Sequence, residues 1–199
     1  MSESKSYNFK RAPISGAEVY YCEKSFSATE ASTHLKILEK RIKWKQNKIT
    51  LFGQQIPEPR LSCWFGEKTY SYSGLIHKSI PYPSQLLPIV RRVKKITGEN
   101  FNGVLLNLYR DGSDSMGWHS DNEPELGKDP VIASVSFGAA RNFLFKRRDN
   151  SSKPFCLTLD PGSLLLMKGK TQENWFHKVP KTKKNIGIRI NLTFRMVQY

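Results

Sequence analysis

Ile188-Arg189-Ile190-Asn191-Leu192-Thr193-Phe194-Arg195 alternates apolar and polar side chains without a break. A period of two marks an extended strand, whose successive side chains point to opposite faces. Ile188, Ile190, Leu192 and Phe194 share one face, which must pack against a core; Arg189, Asn191, Thr193 and Arg195 share the other. That polar face either meets water or lines the inside of a barrel, where a buried arginine requires an anion. Upstream the pattern recurs: Val104, Leu106 and Leu108 alternate with Leu105, Asn107 and Tyr109. Further β-like runs lie at 130–137, 141–147, 154–159, 163–168 and 175–179, separated by turn residues. Earlier runs at 48–52, 62–66 and 69–72 complete a set of strands that two helices accompany. The first, 27–44, has Ser27 and Glu30 at capping-box spacing and Leu35, Leu38 and Ile42 at helical intervals. The second, 84–97, starts at Ser84, places Leu86, Leu87, Val90 and Val93 on one side and stops at Gly98. Strands and helices do not alternate, which argues against a doubly wound parallel sheet. Many short strands with polar turns point to a sandwich or a jelly-roll barrel.

The 199 residues suit a single domain, and 38% hydrophobic content is ample for its core. No run approaches the roughly 20 apolar residues of a membrane span, and the polar start is unlike a secretory signal. Cys22, Cys63 and Cys156 are odd in number and far apart. They form neither a disulfide framework nor a zinc knuckle and suit a reducing intracellular compartment, cytoplasm if bacterial and nucleus if eukaryotic. Lys and Arg number 32 against 17 Asp and Glu, a formal charge of +15. Such an excess points to a polyanion as partner, because neutralising phosphates releases counterions; the plainer alternative is that it serves solubility. A monomer with no membrane association is expected.

In Trp118-His119-Ser120-Asp121 the histidine and aspartate are two apart, so on an extended segment imidazole and carboxylate share a face. His177, in Trp175-Phe176-His177-Lys178-Val179, is the candidate third ligand. Two histidines and one carboxylate on one face of an octahedron leave three adjacent positions open, as non-haem iron(II) oxygenases need. The same set also suits zinc. His34 and His77 are read as ordinary structural residues. The strand at 188–195 decides between the metals. A dicarboxylate fits the two polar strand faces: its far carboxylate takes the planar fork of an arginine, while its keto-acid end chelates the metal. A zinc hydrolase has no need of a second, cation-lined strand.

Asn107-Leu-Tyr109-Arg-Asp-Gly, Gly117-Trp-His119-Ser-Asp121, Ala133-Ser-Val-Ser-Phe-Gly, His177 and Arg189-Ile-Asn191-Leu-Thr193-Phe-Arg195 together resemble the AlkB family of Fe(II)- and 2-oxoglutarate-dependent alkylation-repair dioxygenases. The resemblance implies a mainly β (α+β) fold, with a double-stranded β-helix core, N-terminal helices and a nucleotide-recognition lid. It maps His119, Asp121 and His177 to iron ligands, and Asn107, Tyr109, Arg189, Asn191, Thr193 and Arg195 to the 2-oxoglutarate shell. It begins near residue 50; residues 1–20 are expected to form a flexible arm and 21–199 one domain, with 46–82 as nucleotide-recognition hairpins. Leu51-Phe52-Gly53 before Pro57-Glu-Pro-Arg60 resembles the finger hairpin of homologues acting on duplex DNA, and Tyr70-Ser71-Tyr72 their base-stacking segment. Phe52, Gly53, Gln54, Tyr70, Ser71, Tyr72, Asn122, Glu123, Lys183 and Lys184 are therefore expected to meet the substrate. In this sequence Gln54 replaces a familiar lysine, Asn122 an acid, and Thr182-Lys183-Lys184 a fully basic triplet. The implied reaction is oxidative demethylation of bases such as 1-methyladenine and 3-methylcytosine. It consumes dioxygen and 2-oxoglutarate and releases succinate and formaldehyde. An RNA demethylase, or a non-catalytic basic binding module, are the alternatives.

Overall fold

Two antiparallel sheets face each other across a lumen in the computed structural model, which describes residues 7–51, 53–72 and 75–199 (backbone alone for 50, 51, 71, 72 and 75–77). The chain opens with β1 (Lys10–Arg11) and β2 (Glu18–Cys22), then helix α1 (Ala28–Arg41). Next come β3 (Lys48–Leu51) and β4 (Gln54–Pro57), β5 (Leu61–Gly66), then β6 (Tyr70–Tyr72) and β7 (Leu75–His77). Helix α2 (Leu87–Thr97) leads into β8 (Gly103–Tyr109), β9 (Met116–His119), β10 (Ile132–Gly138) and β11 (Arg141–Arg147). The chain ends with β12 (Phe155–Leu159), β13 (Leu164–Lys168), the single-turn α3 (Thr171–Asn174), β14 (Trp175–Val179) and β15 (Arg189–Arg195).

The larger sheet runs β1-β2-β13-β10-β15-β8-β5 and the smaller β12-β11-β14-β9. From β8 onward the strands are dealt between them: β8, β10, β13 and β15 to the larger, β9, β11, β12 and β14 to the smaller. That is the double-stranded β-helix form of the jelly roll. β15 lies between β10 and β8 with all seven residues buried, so neither of its faces meets water. Ile190, Leu192 and Phe194 pack outward with Val104, Leu106 and Leu108 beneath Leu38 of α1 and Ile89 and Val93 of α2. Removing one such phenylalanine side chain costs about 3–5 kcal/mol. The opposite, polar face looks into the lumen towards Phe143, Phe145 and Val179 of the smaller sheet.

Helix α1 starts where its capping box lies: Glu30 N–H donates to Ser27 Oγ at 3.2 Å and Ser27 N–H to Glu30 Oε2 at 2.8 Å. It stops at Arg41, three residues early, because Ile42 turns extended to send the chain towards β3. Helix α2 begins at Leu87 rather than Ser84, since residues 83–86 make a turn closed by Leu86 N–H on Pro83 O at 2.9 Å. It ends as expected, on Gly98 at φ +72°. From residue 7 onward, the stretch expected as a flexible arm is instead built into the larger sheet, with Ala12, Ile14, Ala17 and Val19 buried. Its apolar residues are too scattered among polar ones to announce a strand. Within 46–82 two separate two-stranded hairpins, β3–β4 and β6–β7, flank β5. Cys22, Cys63 and Cys156 are free thiols. Among the described residues no helix is long and apolar enough to cross a membrane.

Candidate active site

His119 ends β9, Asp121 follows in the loop, and His177 sits in β14 directly opposite His119 in the antiparallel register. One potential ligand atom from each lies within 4.8 Å of the others. Asp121 Oδ2 is 3.6 Å from His177 Nε2. His119 Nδ1 lies 2.9 Å from Gly117 O, and a carbonyl can only accept, so Nδ1 carries the proton and Nε2 keeps its lone pair. The His119 ring packs against that of His177, and burial, then the neighbouring His177, pushes its pKa down to about 3. Burial alone would raise the Asp121 carboxyl, but Arg195, His177 and His119 together hold it well below the usual carboxylate range. A neutral imidazole beside a carboxylate anion is the form that a divalent metal binds.

The loop carrying Asp121 is fixed by residues that local sequence patterns do not reveal. Gln172, 1% exposed, accepts Asp121 N–H at 3.0 Å and donates to Met167 Sδ at 3.5 Å. Arg148 donates to Ser120 Oγ at 2.6 Å and to Gln172 O at 3.3 Å, its guanidinium lying 3.9 Å from the centre of the Phe176 ring. Their separation from Asp121 in the chain leaves no spacing signal.

At the far end of the lumen Arg189 pairs across the sheet with Tyr109. Its Nη2 donates to Ser136 Oγ at 3.0 Å, while Nε and Nη1 are buried without a hydrogen-bond partner. Burial, with Arg141 adding to it against the opposing Tyr109, lowers the Arg189 pKa. Arg141 also lies over the Tyr109 ring and donates to the Asp111, Asp114 and Pro180 carbonyls at 3.1, 2.8 and 2.7 Å. Two guanidiniums thus flank one phenol, and the groups that face them, that phenol, the Ser136 hydroxyl and three carbonyls, include no carboxylate. Such a buried fork fits a carboxylate. Arg195, at the metal end, already donates to Asp121 Oδ1 at 2.7 Å. Asn191 and Thr193 face the lumen but are bound to each other at 2.9 Å, and Asn191 Nδ2 also donates to Ser134 Oγ and Val135 O at 2.7 and 3.0 Å. Asn107 accepts from Arg60 at 2.8 Å. All six residues expected to surround the co-substrate therefore line one cavity with the metal triad.

The expected substrate residues are less united. Tyr70 is wholly buried, stacks on Trp64 with centroids 4.8 Å apart and donates to Glu123 Oε2 at 2.9 Å. It offers no exposed ring face to a flipped base. Trp64, which stacks on it, lies in turn against Gly103. Of the two neighbours of Asp121, Glu123 meets Tyr70, and burial, then Asp121, raises its pKa. Asn122 is exposed and accepts from Ser120 at 2.9 Å. Gly53, at φ +76°, and Gln54 are exposed beside the β3–β4 turn; Lys183 and Lys184 are exposed in the loop before β15. Phe52 and the side chains of Ser71, Tyr72 and His77 lie outside the described residues. His34 has the structural role expected of it, packed against Phe26 and Phe137 at 5.5 and 5.4 Å.

Fold and site define an Fe(II)- and 2-oxoglutarate-dependent oxygenase, and the model of the 2OG-Fe(II) oxygenase superfamily matches residues 18–195. The alpha-ketoglutarate-dependent dioxygenase alkB homolog 3 of Bos taurus is 38% identical over 200 residues, covering 96% of this chain and 70% of that protein. Its Mus musculus counterpart is 41% identical over 177 residues, covering 84% and 62%. The DNA oxidative demethylase ALKBH2 of Homo sapiens is 38% identical over 184 residues, covering 86% and 70%. The solved structure of OsALKBH1 shares the fold at TM-score 0.61 and 17% identity, over 95% of this chain and all of that one. The chain belongs to the AlkB family of 2-oxoglutarate-dependent dioxygenases. It spans 60–70% of the length of the homolog 3 proteins that it matches.

Proposed function

We propose that the protein repairs alkylated DNA by oxidative demethylation, with His119, Asp121 and His177 as Fe(II) ligands and Arg189 as the anchor for the far carboxylate of 2-oxoglutarate. The observation that carries this reading is the shared lumen: a carboxylate–histidine triad at one end and, at the other, a buried guanidinium whose Nε and Nη1 have no hydrogen-bond partner. When bound, iron and 2-oxoglutarate supply the oxidation of the N-alkyl carbon, with succinate and formaldehyde as products. The protein positions the parts and excludes competing reactions. Similarity to proteins named DNA oxidative demethylase supports DNA as substrate, and a charge of +15 suits a polyanion. The alkyl group sits on the pairing edge, so the base must leave the stack. Glu123, held by Tyr70 near Asp121, is suited to hydrogen-bond its exocyclic amine. The β3–β4 hairpin with Gly53 and Gln54, and Lys183 and Lys184 near the chain's end, would grip a duplex, and the protein would act as an intracellular monomer.

The test is mass spectrometry of matched oligonucleotides carrying 1-methyladenine or 3-methylcytosine, as duplex DNA, single-stranded DNA and RNA. The reading expects loss of the methyl group from DNA, faster from duplex. Demethylation of RNA alone would move the substrate to the other nucleic acid, which the 2′-hydroxyl distinguishes.

A further inference from the structure

Glu58 and Arg60, in the bend that joins β4 to β5, and Ser62, in β5, bring their side chains together. They are 1, 3 and 2% exposed. One Glu58 oxygen accepts from Arg60 Nη2 at 2.9 Å; the other accepts from Ser62 Oγ at 2.9 Å and Asn47 Nδ2 at 3.4 Å. Asn47 also donates to Ser62 Oγ at 2.8 Å, closing the ring of contacts. A buried ion pair is weak support for stability, because desolvation offsets much of its attraction. This one has a second output. Arg60 Nε donates to Asn107 Oδ1 at 2.8 Å.

A guanidinium has no acceptor, so Arg60 can engage only the carbonyl end of the Asn107 amide. The NH₂ end is thereby left to act as a donor in the lumen. Asn107 stands opposite Asn191, two residues along β8 from Tyr109, whose cross-strand partner is Arg189. Asn191 cannot take the same part, because its own NH₂ is committed to Ser134 and Val135. With its orientation unset, the Asn107 amide could equally present its oxygen, which a carboxylate repels.

We propose that Glu58 and Arg60 are positioning residues for the co-substrate: the ion pair holds Asn107 as a hydrogen-bond donor to 2-oxoglutarate. The inference rests on the 2-oxoglutarate reading of the lumen. It is tested on the whole chain with Fe(II) under anaerobic conditions, by calorimetric titration of 2-oxoglutarate into wild type, Arg60→Met, Glu58→Gln, Asn107→Ala and the double variants. Asn107→Ala and Arg60→Met should each weaken binding about tenfold, as loss of one hydrogen bond to a charged group does. The Arg60→Met/Asn107→Ala double variant should bind no worse than Asn107→Ala alone, because Arg60 acts through that amide. The Fe(II) affinity of Asn107→Ala without 2-oxoglutarate should not move. Additive losses in the double variant, or wild-type affinity in Arg60→Met, would overturn the proposal. If Arg60→Met does not fold, the same cycle with Glu58→Gln decides. Failure of the wild type to bind 2-oxoglutarate would instead overturn the reading of the lumen itself.

Discussion

Asp121 has two partners at once: the potential metal site through Oδ2, and Arg195 through Oδ1 at 2.7 Å, both side chains 2% exposed. Asp121→Ala therefore removes more than a ligand. It strips a buried arginine of this carboxylate, and breaking such a pair costs about 3–5 kcal/mol. Thermal unfolding of the metal-free variant should show a loss of this size, and an unchanged Tm would mean that the pair is not buried as described. Asp121→Asn keeps an oxygen for Arg195 and is the cleaner probe of metal binding. At Arg189, lysine keeps the charge but loses the planar fork. Arg189→Lys should raise the KM for 2-oxoglutarate roughly thirtyfold, about 2 kcal/mol, with iron affinity nearly unchanged. An unmoved KM would place the dicarboxylate elsewhere. Arg189 was legible because a strand's period of two reports which side chains share a face; Asp121 stands in the loop beyond β9 and was legible only from its spacing to His119. Gln172, Arg148 and Arg141 were not, since each acts on a residue distant in the chain. The burial of Tyr70 was not legible for the same reason: its partners Trp64 and Glu123 are brought to it by no local pattern.

Helix α1 shows how an element's own chemistry supports the site from outside. It covers the outer face of β10 and β15, whose inner faces line the lumen. Ser27→Ala should cost about 1 kcal/mol of stability by removing the cap. The carboxylate of its partner Glu30 accepts from Ser27 N–H and from Arg92, each at 2.8 Å, and these contacts, the Ser27 amide first, pull its pKa down from 4.5 to about 2. A carboxylate whose folded pKa is depressed stabilises the fold fully above its unfolded pKa and loses that contribution as pH falls. Side-chain exposure of 36% reduces the effect through solvent screening to about 1 kcal/mol. Denaturation of Glu30→Gln against wild type should differ at pH 6 and converge near pH 2. A difference that persists at pH 2 would assign the contribution to packing. Most strands and both long helices were legible from periodicity and caps. β1 and β2 were not, because they extend an existing sheet edge and need little amphipathic pattern of their own.

Across the whole molecule, 15 excess positive charges predict nucleic-acid binding that is steeply salt-dependent. Raising salt from about 50 to 200 mM should weaken DNA affinity on the order of a thousandfold if about six phosphates are engaged. A flat response in a filter-binding or anisotropy titration would remove electrostatics as the basis of binding. The central claim joins this surface to the lumen: one chain couples decarboxylation of 2-oxoglutarate to removal of a base methyl group. It is tested most directly by measuring succinate and formaldehyde in the same reaction, with methylated and unmethylated DNA, for wild type and Asp121→Asn. The wild type should release one formaldehyde per succinate on methylated DNA, and Asp121→Asn neither product. Equal succinate with unmethylated DNA and no formaldehyde, or wild-type turnover by a folded Asp121→Asn protein, would contradict it.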